Sequence, residues 1–447
     1  MVACGLAQAA QASSSSSICQ IQPVTFEGWK AQQVSNRWIR LTMVPQLGGR
    51  LMQVAFGEHP YLFVNPKLKG KYFPPTEGTT PGRWYNYGGD KIWPLPEGEQ
   101  DEQHWPGPVS DPLDAGNYEF KVLAQGAVCT IRLDGPADPR TGLQYSREIS
   151  LGSESPEISF HAVMKNASGH PIRWSVQSVT QYDTASADSP EAYNRNFWAF
   201  TPINASSAYD DGYRARLGPS NDPAYSIKDS LFALHWLYFE REVWLDSPDG
   251  WVALVDGSAR YAMVERFAHV PAEYPGKATV ILYTNGPAAE YNDKGMPFLT
   301  SSDPVEMPYY MEAELNSPMV RLEPGETYAF DTKWFPTRAT ADFKTVTDAG
   351  VVNRALAASA SGKSISLTGS FGVFFPGNLS AYVFDARGVK TAVVPIQPAS
   401  PLDLVNVQLE IPGSSVDARV SLHLIDQQGV DRGSLGEAMI SKAEHSP

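Results

Sequence analysis

The stretch MEAELNSPMVRLEPGETYAF (311–330) decides how this chain is read. Its first half alternates strictly, so that Met311, Ala313 and Leu315 fall on one face of an extended strand and Glu312, Glu314 and Asn316 on the other. One face is made to pack and the other is polar. Two like charges two residues apart on a strand face stand about 7 Å apart and repel. Enclosure of that face raises a carboxylate pKa, as a general acid or base working near neutrality requires. A half-buried strand with a solvated outer face shows the same alternation, so both readings stay open at this point. Leu322, Glu323, Pro324, Gly325 and Glu326 then make a turn into a closing aromatic strand, YAFDTKWF (328–335).

Working outward, strand-like runs come in quick succession: WIRLTMVP (38–45), RLMQVAF (50–56), YEFKVLAQ (118–125), AVCTIRL (127–133), EISFHAVMKN (157–166), IRWSVQSVTQYD (172–183), GWVALVDG (250–257) and ATVILYTN (278–285). Each ends at a Gly, Pro, Asp or Asn signal. The chain is therefore expected to be all-β. Two stretches are too long to be idle connections, 57–117 and roughly 184–230. Long loops on a rigid sheet usually carry function.

After TKWFPTRAT the composition turns Ala/Ser-rich in VVNRALAASASGKS (351–364), which reads as a helical start running into a flexible linker. Beyond it, short strands separated by turn signals predict a small immunoglobulin-like sandwich. The expected division is a leader remnant or disordered tail over 1–24, a large β-sandwich over 25–340, a linker over 341–362, the immunoglobulin-like sandwich over 363–440 and a tail over 441–447.

Composition narrows the function classes. The chain has 447 residues, 42% of them hydrophobic, enough for two cores. Its formal charge is −14 with no Lys/Arg-rich block, a field that repels a phosphate backbone, so nucleic acid is not an expected partner. No run of 18 apolar residues occurs, so no helical membrane span is expected. The start, MVACGLAQAAQASSSSS, has the small-residue character of a signal-cleavage region without its charged and apolar parts, and a periplasmic or secreted location is expected from it. Three cysteines far apart in sequence, Cys4, Cys19 and Cys129, argue for no disulfide framework or thiolate zinc site. The eight histidines form no metal-ligand pair, and no metal or other cofactor is expected.

The 311–330 segment resembles the closing signature of aldose 1-epimerases, members of the galactose mutarotase-like superfamily. The resemblance implies a large β-sandwich over about 25–340, a sugar or oligosaccharide partner and a general-base role for Glu312, with Glu314 standing where the family has a glutamine. MVPQLGGRLMQVAFG (43–57) is similar to the family's opening strands. NYGGDKIWPLPEG (86–98) is similar to its Gly-Gly sugar loop, with Tyr87 in place of a histidine. There Gly88 and Gly89 permit close approach of the backbone to a ligand, and Asp90 and Lys91 offer hydrogen bonds to hydroxyls. Trp84 and Trp93 offer faces for a pyranose. The family's acid is a histidine; the matching stretch here, SVTQYDT (178–184), offers Gln181, whose amide donates a hydrogen bond but transfers no proton.

Two functions follow. One is an epimerase or mutarotase with Glu312 as base and its acid drawn from Glu314, Asp90 or Lys91. The other is a non-catalytic glycan-binding protein using Trp84, Tyr87, Trp93, Gln181 and Arg195. In both, Glu312, Glu314, Asp90, Lys91 and Gln181 are expected to meet in one concave pocket.

Overall fold

The computed structural model describes residues 18–76, 82–98, 104–189, 192–291, 297–299, 308–413 and 417–442. Two large sheets and a third, smaller one hold nearly all of the strands, with one further two-stranded pair. The first sheet runs in the order Gln20–Phe26, Trp29–Ser35, Ile39–Val44, Arg50–Phe56, Asp90–Leu95, Ile172–Asp183, Tyr310–Asn316, Val280–Thr284, Arg241–Leu245, Arg214–Leu217. The second runs Tyr225–Lys228, Leu231–His235, Phe197–Pro202, Trp251–Asp256, Tyr261–Phe267, Thr327–Arg338, Ile158–Asn166, Leu143–Gly152, Val128–Ala137, Glu119–Ala124. All of these neighbours pair antiparallel.

Period-two patterning closes the sandwich. Trp174, Val176, Tyr182, Met311, Ala313 and Leu315 of the first sheet share one apolar cluster with Ile131, Ile149, Phe160, Met164, Met263 and Trp334 of the second. The ionisable groups Asp90, Arg147 and Glu265 enter this interior with partners. Asp90 meets Arg147 across the sheets and accepts from Thr180 Oγ1 at 3.1 Å. Nearby, the Tyr182 hydroxyl donates to Glu265 Oε1.

A disulfide joins Cys19 to Cys129 across 110 residues, Cα atoms 5.9 Å apart, correcting the expectation of unpaired cysteines. Sequence distance says nothing about two strands that the sandwich brings together, and a bridge closing so long a loop removes much freedom from the unfolded chain.

The expected linker is also corrected. Gly350–Ser361 is a strand, paired antiparallel with Ser364–Val373 and parallel with Asp431–Lys442. Its small residues suit close strand pairing, and the helical tendency of Ala yields to that context. With Gly377–Asp385, Lys390–Ala399, Val405–Pro412 and Asp417–Asp426 it forms the C-terminal sandwich. The first strand running parallel beside the last is an immunoglobulin-like arrangement. Ile365, Leu367, Leu379, Val407, Val420 and Leu422 fill its core. The segment SIKDSLFALHWLYFER holds the hairpin Tyr225–Lys228 and Leu231–His235, with no helical turn.

This second core does not stop at the sandwich boundary. Phe200, Trp251, Ala253, Val255, Ala262, Val264 and Phe335, on the outer face of the second sheet, belong to the same apolar cluster as the C-terminal strands. Phe343 stacks on Phe200 at 4.7 Å and Phe374 packs on Phe335 at 4.7 Å.

Two measurements test this arrangement. Calorimetry is expected to show one cooperative transition for both sandwiches, and limited proteolysis to spare 350–361; a separate low-temperature transition would show the junction to be weak. Burial lifts the Glu265 carboxyl from 4.5 to about 8. The folded state therefore holds a proton that the unfolded chain has released, and stability falls as pH rises between those values. Glu265→Gln should flatten this slope in urea melts taken across that window.

Candidate functional site

The same alternation that seats Asp90, Thr180 and Tyr182 in the interior turns Lys91, Gln177, Gln181, Glu312 and Glu314 to the opposite face of the first sheet. Register aligns them: Gln181 lies opposite Glu312, Val179 lies between Lys91 and Glu314, and Gln177 lies between Trp93 and Asn316. On the far side Tyr283 lies opposite Glu312, and Glu242 opposite Tyr283.

Glu312 is the centre of this face. Its Oε1 accepts from Gln181 Nε2 at 2.7 Å and from the Lys91 ammonium at 3.2 Å. Glu314, one turn of the alternation away, accepts from Gln177 Nε2. Glu312 is 7% and Glu314 8% exposed, so both are enclosed but within reach of a ligand. Burial, with Glu312, Glu97 and Glu242 nearby, pushes the Glu314 carboxyl well up. Glu97 is reached by solvent but ringed by protein, which lifts it to about 7. Burial also raises Glu242 and lowers the Lys91 ammonium, whose partner Glu312 opposes the shift. Among the described residues no group of His, Cys, Asp and Glu is placed to share a metal ion.

Tyr310 and Tyr283 wall the face, their rings 6.2 Å apart, and Phe63 stacks on Tyr310 at 5.1 Å. Phe63 is placed by the backbone: its N–H donates to Gln181 O, and Gln181 N–H donates to Gly89 O. Gly88 and Gly89 have φ of 93° and 73°. A Cβ on Gly88 would lie 2.1 Å from Phe63 O and one on Gly89 2.7 Å from Leu51 O. The glycines let the chain pack on itself, where the sequence suggested close approach to a ligand.

Five of the expected residues therefore divide. Lys91, Gln181, Glu312 and Glu314 come together; Asp90 does not, because as Lys91's neighbour on a strand it faces the interior and pairs with Arg147. Tyr87 is buried in a separate cluster with Trp29, Leu47 and Met52, and its hydroxyl accepts from Phe73 N–H. Arg195 stands over the Tyr193 ring at 5.3 Å, and that ring packs against Tyr238 and Tyr309, apart from the Glu312 cluster.

Trp93 lies under Lys91, whose ammonium is 4.4 Å from the ring centroid, and packs between Trp84 and Trp105. Its Nε1 donates to Asp114 Oδ1 at 2.8 Å, and Asp114 pairs with the buried Arg50. Trp93 thus stands on the same face as Lys91 and Gln177 but is buried among Trp84, Trp105 and Asp114, so its ring backs Lys91. Gln177, Glu97, Glu242, Tyr283 and Tyr310 were not anticipated. For Gln177 the signal was present, since IRWSVQSVTQYD places it on Gln181's face at a spacing of four. Trp93→Ala should accordingly lower stability by roughly 3–5 kcal/mol in denaturant titration, a loss beyond any effect on ligand affinity; an unchanged midpoint would contradict this placement.

No family model matches the chain, and no curated protein matches it. Among solved structures, a TPR-domain containing protein from Parabacteroides distasonis is similar at 12% identity and a TM-score of 0.44, over 72% of this chain and 54% of that one. The chain thus spans about half the length of that protein. A galactose mutarotase-like protein from Lactobacillus casei is similar at 11% identity over 71% of this chain and 100% of that one, with a TM-score of 0.41. One from Clostridium acetobutylicum is similar at 12% identity over 72% and 99%, with a TM-score of 0.42.

Proposed function

We propose that the Glu312 face is a carbohydrate site at which an aldose changes anomer by acid–base catalysis. Glu312 takes the proton of the anomeric hydroxyl as the bond from the anomeric carbon to the ring oxygen breaks. Glu314 gives its proton to that oxygen. The open-chain aldehyde turns about its first carbon–carbon bond, and closure returns both protons. The observation that carries this reading is the pairing, on one enclosed strand face, of a carboxyl held by Lys91 and Gln181 with a second, Glu314, that burial pushes well up.

Anomer exchange followed by polarimetry or NMR tests it. Glu312→Gln and Glu314→Gln should each slow exchange by about two to four orders of magnitude with a smaller effect on affinity. Turnover should fall as pH rises through the raised Glu314 pKa, because the acid must carry its proton; a rate that climbs through that range would reject Glu314 as the acid.

The Lys91–Glu312 ion pair favours a second reading, a glycan-binding protein without turnover, because it already occupies one oxygen of the base. Sugar binding by calorimetry with no exchange above the uncatalysed rate would select it. The Cys19–Cys129 disulfide supports an oxidising location, the periplasm or the exterior.

A further inference from the structure

We propose that the ligand of the Glu312 face is an amino sugar carrying a free ammonium group, seated at the corner formed by Glu314, Gln177 and Asn316. This rests on the carbohydrate reading above and names the class of sugar. The first support is the balance of charge: Glu97, Glu242, Glu312 and Glu314 act on one another electrostatically, against Lys91 and Arg216. Lys91 is committed to Glu312. A uronate or sugar phosphate would add negative charge to an enclosed, acid-rich face, which is costly where solvent is excluded.

The second support is independent and concerns hydrogen bonds. Gln177 Nε2 donates to Glu314, Gln181 Nε2 to Glu312, and Asn316 Nδ2 to Ala278 O. Each amide nitrogen is thus fixed by an acceptor, which fixes the orientation of the amide oxygen as well. Those three oxygens, Gln177 Oε1, Gln181 Oε1 and Asn316 Oδ1, are buried without a donor. All three side chains lie on the face of Glu312 and Glu314. Buried acceptors without donors are costly, and this face supplies few donors of its own. A hydroxyl brings one hydrogen. An ammonium brings three and a positive charge, and its bonds to carboxyl and amide oxygens are charge-assisted.

Calorimetric titration of the full chain near pH 7 would compare 2-amino-2-deoxyglucose and 2-amino-2-deoxygalactose with their N-acetyl forms, the parent aldoses and the matching uronates. The free amines are expected to bind about tenfold or more tighter than the parent aldoses, and the uronates most weakly. Gln177→Met and Glu314→Gln, each checked for native circular dichroism, should bring the amine preference towards parity while the parent aldose changes less. Parent aldose or uronate binding as tightly as the amine would overturn the amino-sugar assignment and leave the carbohydrate reading standing. Binding of no sugar of any class would overturn both.

Discussion

The ion pair between Asp90 and Arg147 sets what the rest of the sandwich can do. Both groups are buried between the sheets, and Thr180 adds a hydrogen bond to the same carboxylate. Loss of one member would leave an uncompensated charge in the interior, at a cost of about 3–5 kcal/mol. That penalty fixes the register of Asp90–Leu95 on Ile172–Asp183. A slip by one residue would turn Asp90 outward and Lys91 inward, since strand side chains alternate. Inward, the ammonium would meet the Arg147 guanidinium. The position of Lys91 against Glu312 is therefore a consequence of the interior pair one residue away.

The same reasoning separates what was legible in the sequence from what was not. Alternation in 311–316 was open to inspection and placed Glu312 and Glu314 together. Gly and aromatics crowd NYGGDKIWPLPEG and give it the composition of a loop, and in a loop Asp90 and Lys91 have no reason to diverge. Once Asp90–Leu95 is a strand, they must. Tyr87 and Trp93 misled for another reason: an aromatic beside polar residues has the composition of a sugar platform and of a support alike. What tells them apart is a tertiary contact, such as Trp93 Nε1 on Asp114, 21 residues away. The Cys19–Cys129 bridge was illegible on the same ground, and in 350–361 the Ala-rich composition spoke for a helix until strand partners on both sides outweighed it.

The C-terminal sandwich has a physical reason to be where it is. Phe200, Trp251, Val255, Val264 and Phe335 leave the outer face of the second sheet apolar over several strands. Left open, that face would be a contiguous hydrophobic patch of the kind that associates. Phe343, Phe374 and Phe375 cover it, and Arg266 reaches across to Asp348 and the Thr347 carbonyl. The first sheet, whose outer face carries Glu312, needs no such cover at its centre because that face is polar. The apolar cover is thus on one side of the large sandwich and the polar Glu312 face on the other.

Gln181 shows how the strand pairing sets up the Glu312 face. Its amide donates to the Glu312 carboxyl and so orients it. A second glutamate lies two residues along the same strand, and desolvation, joined by repulsion from Glu312, Glu97 and Glu242, pushes the Glu314 carboxyl well up. Lys91 acts in the opposite sense on Glu314, yet it sits on Glu312 Oε1. A single ammonium placed off-centre therefore gives two glutamates of one strand face different surroundings, and the acid–base roles proposed above rest on that asymmetry.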